Sequence, residues 1–219
     1  RILRGELRSP GELRPQIPER YHGLRDLPFR RDLVKSATLS TFHGCPAEEI
    51  EGIGEFLLRE LGLHLTVKLN PTLLGVERCE QLLHDELGYK DIRPAREHFE
   101  RDLQFEQMVP MAQRLQRSAT SLGLGFGLKL TNTLVVHNHR PMFADEVMYL
   151  SGQPLHVLTL HILRDVRAAL GPELPISFSA GIDAHNFARA MACNLTPITT
   201  CTDLLRPGGS GRRPAHLTT

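Results

Sequence analysis

Five short apolar runs, each turning polar or small at its C-terminal end, limit this chain more than any other feature. They are "SATLSTF" (36–42), "HLTVKL" (64–69), "GFGLKLT" (125–131), "PISFSA" (175–180) and "TPITTCT" (196–202). Helical patterns separate them. "PAEEIEGIGEFLLREL" begins with Pro46, carries acids in its first turn, aligns Ile50, Ile53, Leu57 and Leu61 on one face and stops at Gly62. Further helices are predicted over about 76–87, over about 98–122 with a kink at Pro110, over about 154–170 after a long loop, and over about 183–192. Repeated strand–helix units with short strands predict a parallel sheet covered by helices.

The polar strand ends decide between an open sheet and a barrel. His43, Gly44 and Cys45 follow the first run, Lys68 and Asn70 the second, Thr131, Asn132 and Thr133 the third, Ser179 and Gly181 the fourth, and Thr200 and Thr202 the fifth. A (β/α)8 barrel builds its site from several strand ends on one face, whereas an open sheet uses only its switch point. The expected fold is therefore an α/β barrel. A full barrel uses eight strands in ~250 residues, so five strands imply a partial one whose first strands are missing.

Strand alternation then assigns faces. Thr66, Lys68 and Asn70 share one side of their strand, and Lys129 and Thr131 share one side of theirs, with Val67, Leu69, Leu128 and Leu130 opposite. With the apolar set against the outer helices, both lysines point into the barrel mouth. An ammonium there needs an anionic or strongly accepting partner. Asp183, Asp203, solvent and a bound ligand all remain open as that partner.

Composition excludes several classes. The 219 residues, 41% hydrophobic and 23% charged, suit one globular domain, and a net charge of +1 gives no basis for a nucleic-acid partner. No apolar run reaches the ~20 residues of a membrane span, and "RILRGELRSPGELRPQ" lacks a signal-peptide core, so a cytoplasmic location without membrane insertion is expected. Cys45, Cys79, Cys193 and Cys201 are too widely spaced for a disulfide framework or a metal cluster. The last three are expected to be packing residues, and His137 and His139 to lie in a solvated loop. Residues 1–35 form an irregular lead-in, 36–209 the barrel portion and 210–219 a frayed tail. The missing initiator Met and the ending "GGSGRRPAHLTT" suggest a piece of a longer protein.

Six stretches in order, "LSTFHGCPAEEI", "VKLNPTLLG", "GFGLKLTNT", "EVMYLSGQPLHVLTL", "PISFSAGID" and "PITTCTDLLRPGG", resemble the YgfK-type family of selenate reductase iron–sulfur/flavin subunits. More distantly they are similar to the flavin mononucleotide (FMN) barrels of dihydroorotate and dihydropyrimidine dehydrogenases. The resemblance implies strands 4 to 8 of an FMN-linked oxidoreductase barrel. It implies Lys68 at the flavin pyrimidine edge, with Ser179, Ala180, Gly181, Thr200 and Thr202 on the phosphate. It makes Asn132 a substrate-contacting catalytic residue, with Lys129, Thr131 and Thr133 beside the substrate, and Cys45 the acid or base. Between a strand and a helix N-terminus, Cys45 has two readings, a reactive thiol of depressed pKa and a buried inert thiol, and both remain open. The sequence departs from the dehydrogenases at Phe42 and Ala47 in place of asparagines, at Gly44 in place of serine, at Ala180 in place of glycine, and at Lys129, which they lack.

The function implied is an oxidoreductase that binds FMN in this barrel. Flavin adenine dinucleotide (FAD) and 4Fe–4S clusters are expected elsewhere in the full protein, and electrons would pass to other redox domains or subunits. A dihydropyrimidine dehydrogenase-type FMN enzyme and a cofactor-free barrel that only scaffolds redox domains are the alternatives.

Overall fold

The computed structural model describes residues 18–21, 23, 33–40, 43–140 and 144–217. The chain divides into two compact units, residues 1–34 and 35–219. In the first, Glu19–Tyr21 form a 3-10 turn in which the Arg20 guanidinium lies 4.7 Å from the centre of the Tyr21 ring.

The second unit is built on a parallel sheet of five strands in the order β1–β2–β3–β6–β7. These are β1 (Ser36–Ser40), β2 (His64–Leu69), β3 (Phe126–Leu130), β6 (Ile176–Phe178) and β7 (Leu195–Ile198). Every neighbouring pair is parallel. The chain order of the strands is the spatial order, as in a barrel wall, and helices fill the crossovers. Residues 41 and 42 of the first expected strand, including Phe42, lie outside the described residues.

Helix α1 (Ala47–Arg59) starts at Pro46 with Glu48 and Glu49 in its first turn. Gly62, at φ +61°, lets the Leu63 amide reach back to the Leu57 carbonyl at 3.1 Å and end the helix. Helix α1 packs on β2 and against α4 (Phe105–Ser121), while α4 and α5 (Gln153–Leu170) pack on β3. Val67, Leu69, Leu128, Leu130 and Phe178 are fully buried beneath them. Burial of this face at ~25 cal/mol per Å² drives the unit's folding.

Five expectations change. The single helix over about 98–122 is two, α3 (Arg96–Arg101) and α4, and the break falls at residues 102–104 while α4 runs through Pro110. Gln104 and Gln107 form a capping box that starts α4, so local polar groups replace the expected kink. The helical stretch near 76–87 is α2 (Val76–Gln81) running into one π-helical turn, Leu82–Glu86. The long loop after β3 contains an antiparallel pair, β4 (Leu134–His137) with β5 (Val147–Leu150). Finally, helix α6 covers only Phe187–Ala192, and the tail expected to fray forms a 3-10 turn (Gly209–Arg212) and helix α7 (Arg213–Leu217). Arg212 anchors that turn to Asp203 through bonds of 2.9 and 3.2 Å.

Among the described residues neither β1 nor β7 has a second neighbour. Among the described residues both edge strands therefore offer unpaired backbone groups. Residues 1–219 expressed alone should therefore self-associate. Light scattering behind size exclusion should show oligomers and aggregates; a monodisperse monomer with one cooperative melt would refute this.

Candidate functional site at the strand ends

Parallel register aligns Ser40, Lys68, Lys129 and Ser177 side by side on four adjacent strands. With strands ~4.8 Å apart, the two lysines rise as neighbours from the same face. Burial lowers the Lys68 pKa first, and the Lys129 charge lowers it further. Two like charges therefore stand side by side on one half-buried row. Among the described residues no carboxylate is ion-paired with Lys129. The two acids considered as lysine partners have other work. Asp183 accepts from Gln153 Nε2 and from the His185 and Asn186 amides, and Asp203 accepts from Arg212.

Beside this row a polar network crosses the sheet end. Ser40 Oγ donates to Asn132 Oδ1 at 3.2 Å, and Asn132 Nδ2 donates to Asn70 Oδ1 at 2.7 Å. Asn70 Nδ2 donates to Asp102 Oδ2 at 3.0 Å, as does Thr72 Oγ1 at 2.8 Å. The Gly44 amide donates to Asp102 Oδ1 at 2.8 Å, and His43 Nδ1 lies 2.6 Å from Oδ2. Burial alone would raise the Asp102 pKa, but the hydrogen bonds from His43, Gly44 and Thr72 overcome it and hold the carboxyl below its usual range. Asp102 is thus an ionised hub, only 4% exposed.

The His98 ring meets His43 edge-on at 4.9 Å, so His43, His98 and Asp102 bring three ligand-type atoms within 4.8 Å. They do not form an open metal cage. Asp102 Oδ2 already accepts three protein donors and Oδ1 a fourth, which leaves the carboxylate committed to the protein.

The loops after β6 and β7 form the other half of the site. Gly181 and Thr202 line a narrow cleft, no larger than a water molecule, with Gly152, Gln153, Ile182, Asp183, Asp203 and Arg206. Ala180 and Ile182 are buried, yet among the described residues their amides and that of Gly181 donate to no acceptor, nor do those of Thr200 and Cys201. Gly181 and Thr200 are half-buried and Cys201 is exposed, so two adjoining loops carry backbone N–H groups that are open to a ligand acceptor. The Ala180 methyl belongs to the hydrophobic core and so leaves the amides clear. Thr200 Oγ1 donates to the Ile182 carbonyl at 2.9 Å and ties the two loops together.

The sequence-derived residues separate on this geometry. Lys68, Lys129 and Asn132 meet at the mouth, and Thr133 lies half-buried after Asn132. Ser179 is half-buried between the mouth and the loops, its amide bonded to the Leu130 carbonyl. Thr131 leaves the face expected of it: it is 2% exposed, and its hydroxyl meets Thr159 Oγ1 of α5 at 3.1 Å, because β3 ends at Leu130 and alternation ends with it. Its expected place beside a substrate is corrected to a contact with the outer helix.

Cys45 is also corrected. It is 3% exposed, and burial, then Glu49, push its thiol pKa up, so of its two readings the buried inert thiol fits and the catalytic one does not. Of the expected packing cysteines, Cys79 is buried with its pKa pushed to about 12, whereas Cys193 and Cys201 are exposed. Asp102 is the residue that sequence reading missed. The available signal was "DLQFEQ": an Asp ill-suited to a helix interior, just before a Gln-x-x-Gln cap.

Comparison with known proteins places this geometry in a lineage. Residues 21–218 match the family described as "Oxidoreductase YgfK, N-terminal TIM-barrel domain". The chain is 41% identical over 203 residues to "Putative oxidoreductase YgfK" of Escherichia coli (strain K12), and equally to its counterpart in Escherichia coli O157:H7. Each match covers 92% of this chain and 20% of the relative, so the chain spans about a fifth of the length of those curated proteins. Among the described residues no helix is long and apolar enough to cross a membrane.

Proposed function

From the premise that the chain belongs to the oxidoreductase YgfK N-terminal TIM-barrel domain family, we propose that its strand-end face is an FMN site of a larger electron-transferring oxidoreductase. The observation that carries this reading is the cluster of partnerless amides in the loops after β6 and β7, at the same sheet end as the lysine row. Ala180, Gly181, Ile182 and Thr200 would hold the phosphate through backbone N–H groups, with Ser179 and Thr202 flanking it. Lys68 would stabilise negative charge at the pyrimidine edge of the ring, and the flavin would supply two-electron hydride chemistry. Asn132 and Thr133 would orient the molecule oxidised or reduced above it.

Lys129 adds a second cation to the mouth, which fits an anionic substrate and is compatible with the selenate reductase activity implied by the sequence resemblance. FAD, 4Fe–4S clusters and the partner redox domains belong to the remaining four-fifths of a protein of this kind. All four cysteines are free thiols, which suits the reducing cytoplasm.

The deciding measurement is a visible absorption spectrum of the full-length protein, with each extracted flavin identified by mass. One FMN per chain is expected. Lys68→Ala should lower that flavin's potential or occupancy, and Asn132→Ala should retain the flavin while slowing its turnover. A full-length protein containing no FMN would leave the barrel as a scaffold for other redox domains.

A further inference from the structure

The sequence resemblance assigns acid–base chemistry to Cys45, yet the structure buries that thiol and raises its pKa. Two residues earlier on the same loop stands a different candidate. His43 holds Nδ1 at 2.6 Å from the Asp102 carboxylate, with the ring half-buried at the barrel mouth. Among the described residues its Nε2 has no hydrogen-bond partner. An ionised Asp accepting from Nδ1–H fixes the tautomer and leaves the Nε2 lone pair as a base.

The support behind the pair is unusually complete. Asn70 and Thr72 clamp Asp102 Oδ2 from β2 and the following turn, and the Gly44 amide pins Oδ1 from the loop that carries His43 itself. Asn70 also accepts from Asn132, so the groups proposed to contact substrate and the groups that orient His43 belong to one hydrogen-bonded chain. A histidine held only for packing would not require a buried carboxylate that ties its loop to Asn70, two residues beyond Lys68 at the end of β2. Among the described residues, the charged or titratable groups in contact with His43 are Asp102 and the edge-on ring of His98 on α3.

We infer that His43 is the proton-transfer residue of this barrel mouth, with Asp102 as its positioning residue, in the role the sequence resemblance gives to Cys45. The inference rests on the flavin reading for its oxidant. His43 would take up at Nε2 the proton that a substrate gives up on oxidation and would return it on reduction. A flavin held at this mouth would supply the matching two-electron acceptor or donor. Charge and atoms balance without a further reactant. The partner chemistry is a two-electron donor or acceptor with an exchangeable proton next to the reacting atom.

Two experiments on the full-length protein test this, with flavin content measured separately. The first needs no flavin: carbethoxylation by diethyl pyrocarbonate at pH 7, mapped by peptide mass, should modify His43 at least about ten-fold faster in the wild type than in Asp102→Asn. Gly171→Ala, at the far end of α5 and outside the Asp102 network, should stay within about two-fold of wild type. Equal His43 rates in wild type and Asp102→Asn would overturn the inference.

The second follows reoxidation of the photoreduced protein by 1,4-naphthoquinone, which takes protons with its electrons, and by ferricyanide, which takes none. His43→Gln should slow the quinone reaction at least about ten-fold and leave ferricyanide within about two-fold, while Cys45→Ala changes neither. Parallel slowing of both acceptors, or of neither, would overturn the assignment. A protein without FMN whose His43 nevertheless depends on Asp102 would refute the flavin reading and leave the base in place.

Discussion

Asp102→Leu should be the most damaging single change in this unit, lowering its stability by about 3–5 kcal/mol. Four donors converge on that carboxylate, from His43, Gly44, Asn70 and Thr72. Asn70 is 4% exposed and Thr72 1%, so neither finds water when the acceptor goes. An unsatisfied buried donor costs ~1–3 kcal/mol, and here two are stranded while a third pins the His43 loop. In the full-length protein the first thermal transition should fall by roughly 10 °C.

The same hub sets a pH dependence. The folded-state pKa of Asp102 is depressed, so its contribution is fully present above the unfolded carboxylate pKa and is lost as pH falls through the folded one. Wild-type stability should therefore drop below the ordinary carboxylate range by more than that of Asp102→Asn. A thermal transition within 2 °C of wild type in Asp102→Leu (roughly within 1 kcal/mol), or identical acid limbs, would remove Asp102 from its central place.

Gly181→Ala is the second. Gly181 sits at φ +55°, and a Cβ built there would lie 2.3 Å from the Gly152 carbonyl oxygen and 2.7 Å from its carbon. Both obstacles are backbone, so no side chain can swing aside; the loop after β6 must part from the start of α5. The left-handed conformation costs a non-glycine residue ~1–2 kcal/mol, and forced repacking a further ~1–3 kcal/mol. A loss of about 3 kcal/mol is expected, roughly 6–12 °C in the transition of this unit. Gly171→Ala is the control: at φ +87° with nothing within 4 Å of its Cβ, it should incur only the conformational part. Because the same loop carries the free amides, flavin retention should fall in Gly181→Ala and not in Gly171→Ala. Equal effects of the two substitutions would mean that the close approach is not what requires glycine.

The order of strands and helices was legible in the sequence because period two and period 3.6 are local properties. The second strand was read at its observed bounds, His64–Leu69, and alternation correctly put Val67, Leu69, Leu128 and Leu130 on the buried face. The lysines could be assigned to one side of their strands by the same rule. Six ordered motifs then carried the family, which no periodicity could have supplied.

Alternation failed where strands end. It put Thr131 in the mouth, but a rule about pleated backbone has no force one residue beyond the strand, and Thr159 of a distant helix decided the side chain's direction. Position after a strand and before a helix left Cys45 open between a reactive and an inert thiol, and its depth of burial, a property of the whole packed unit, raised the pKa and decided for the second. The Asp102 hub was least legible of all. Its donors stand 59, 58, 32 and 30 residues away along the chain, so no local window contains them together. What the sequence determined by itself was therefore the series of elements, the faces of the strands and the lineage. Only the tertiary structure decided that Lys68 and Lys129 stand in register, that His43 has a buried carboxylate behind it, and that two loops leave their amides open, because each depends on parallel strands and crossovers bringing remote residues within hydrogen-bonding reach.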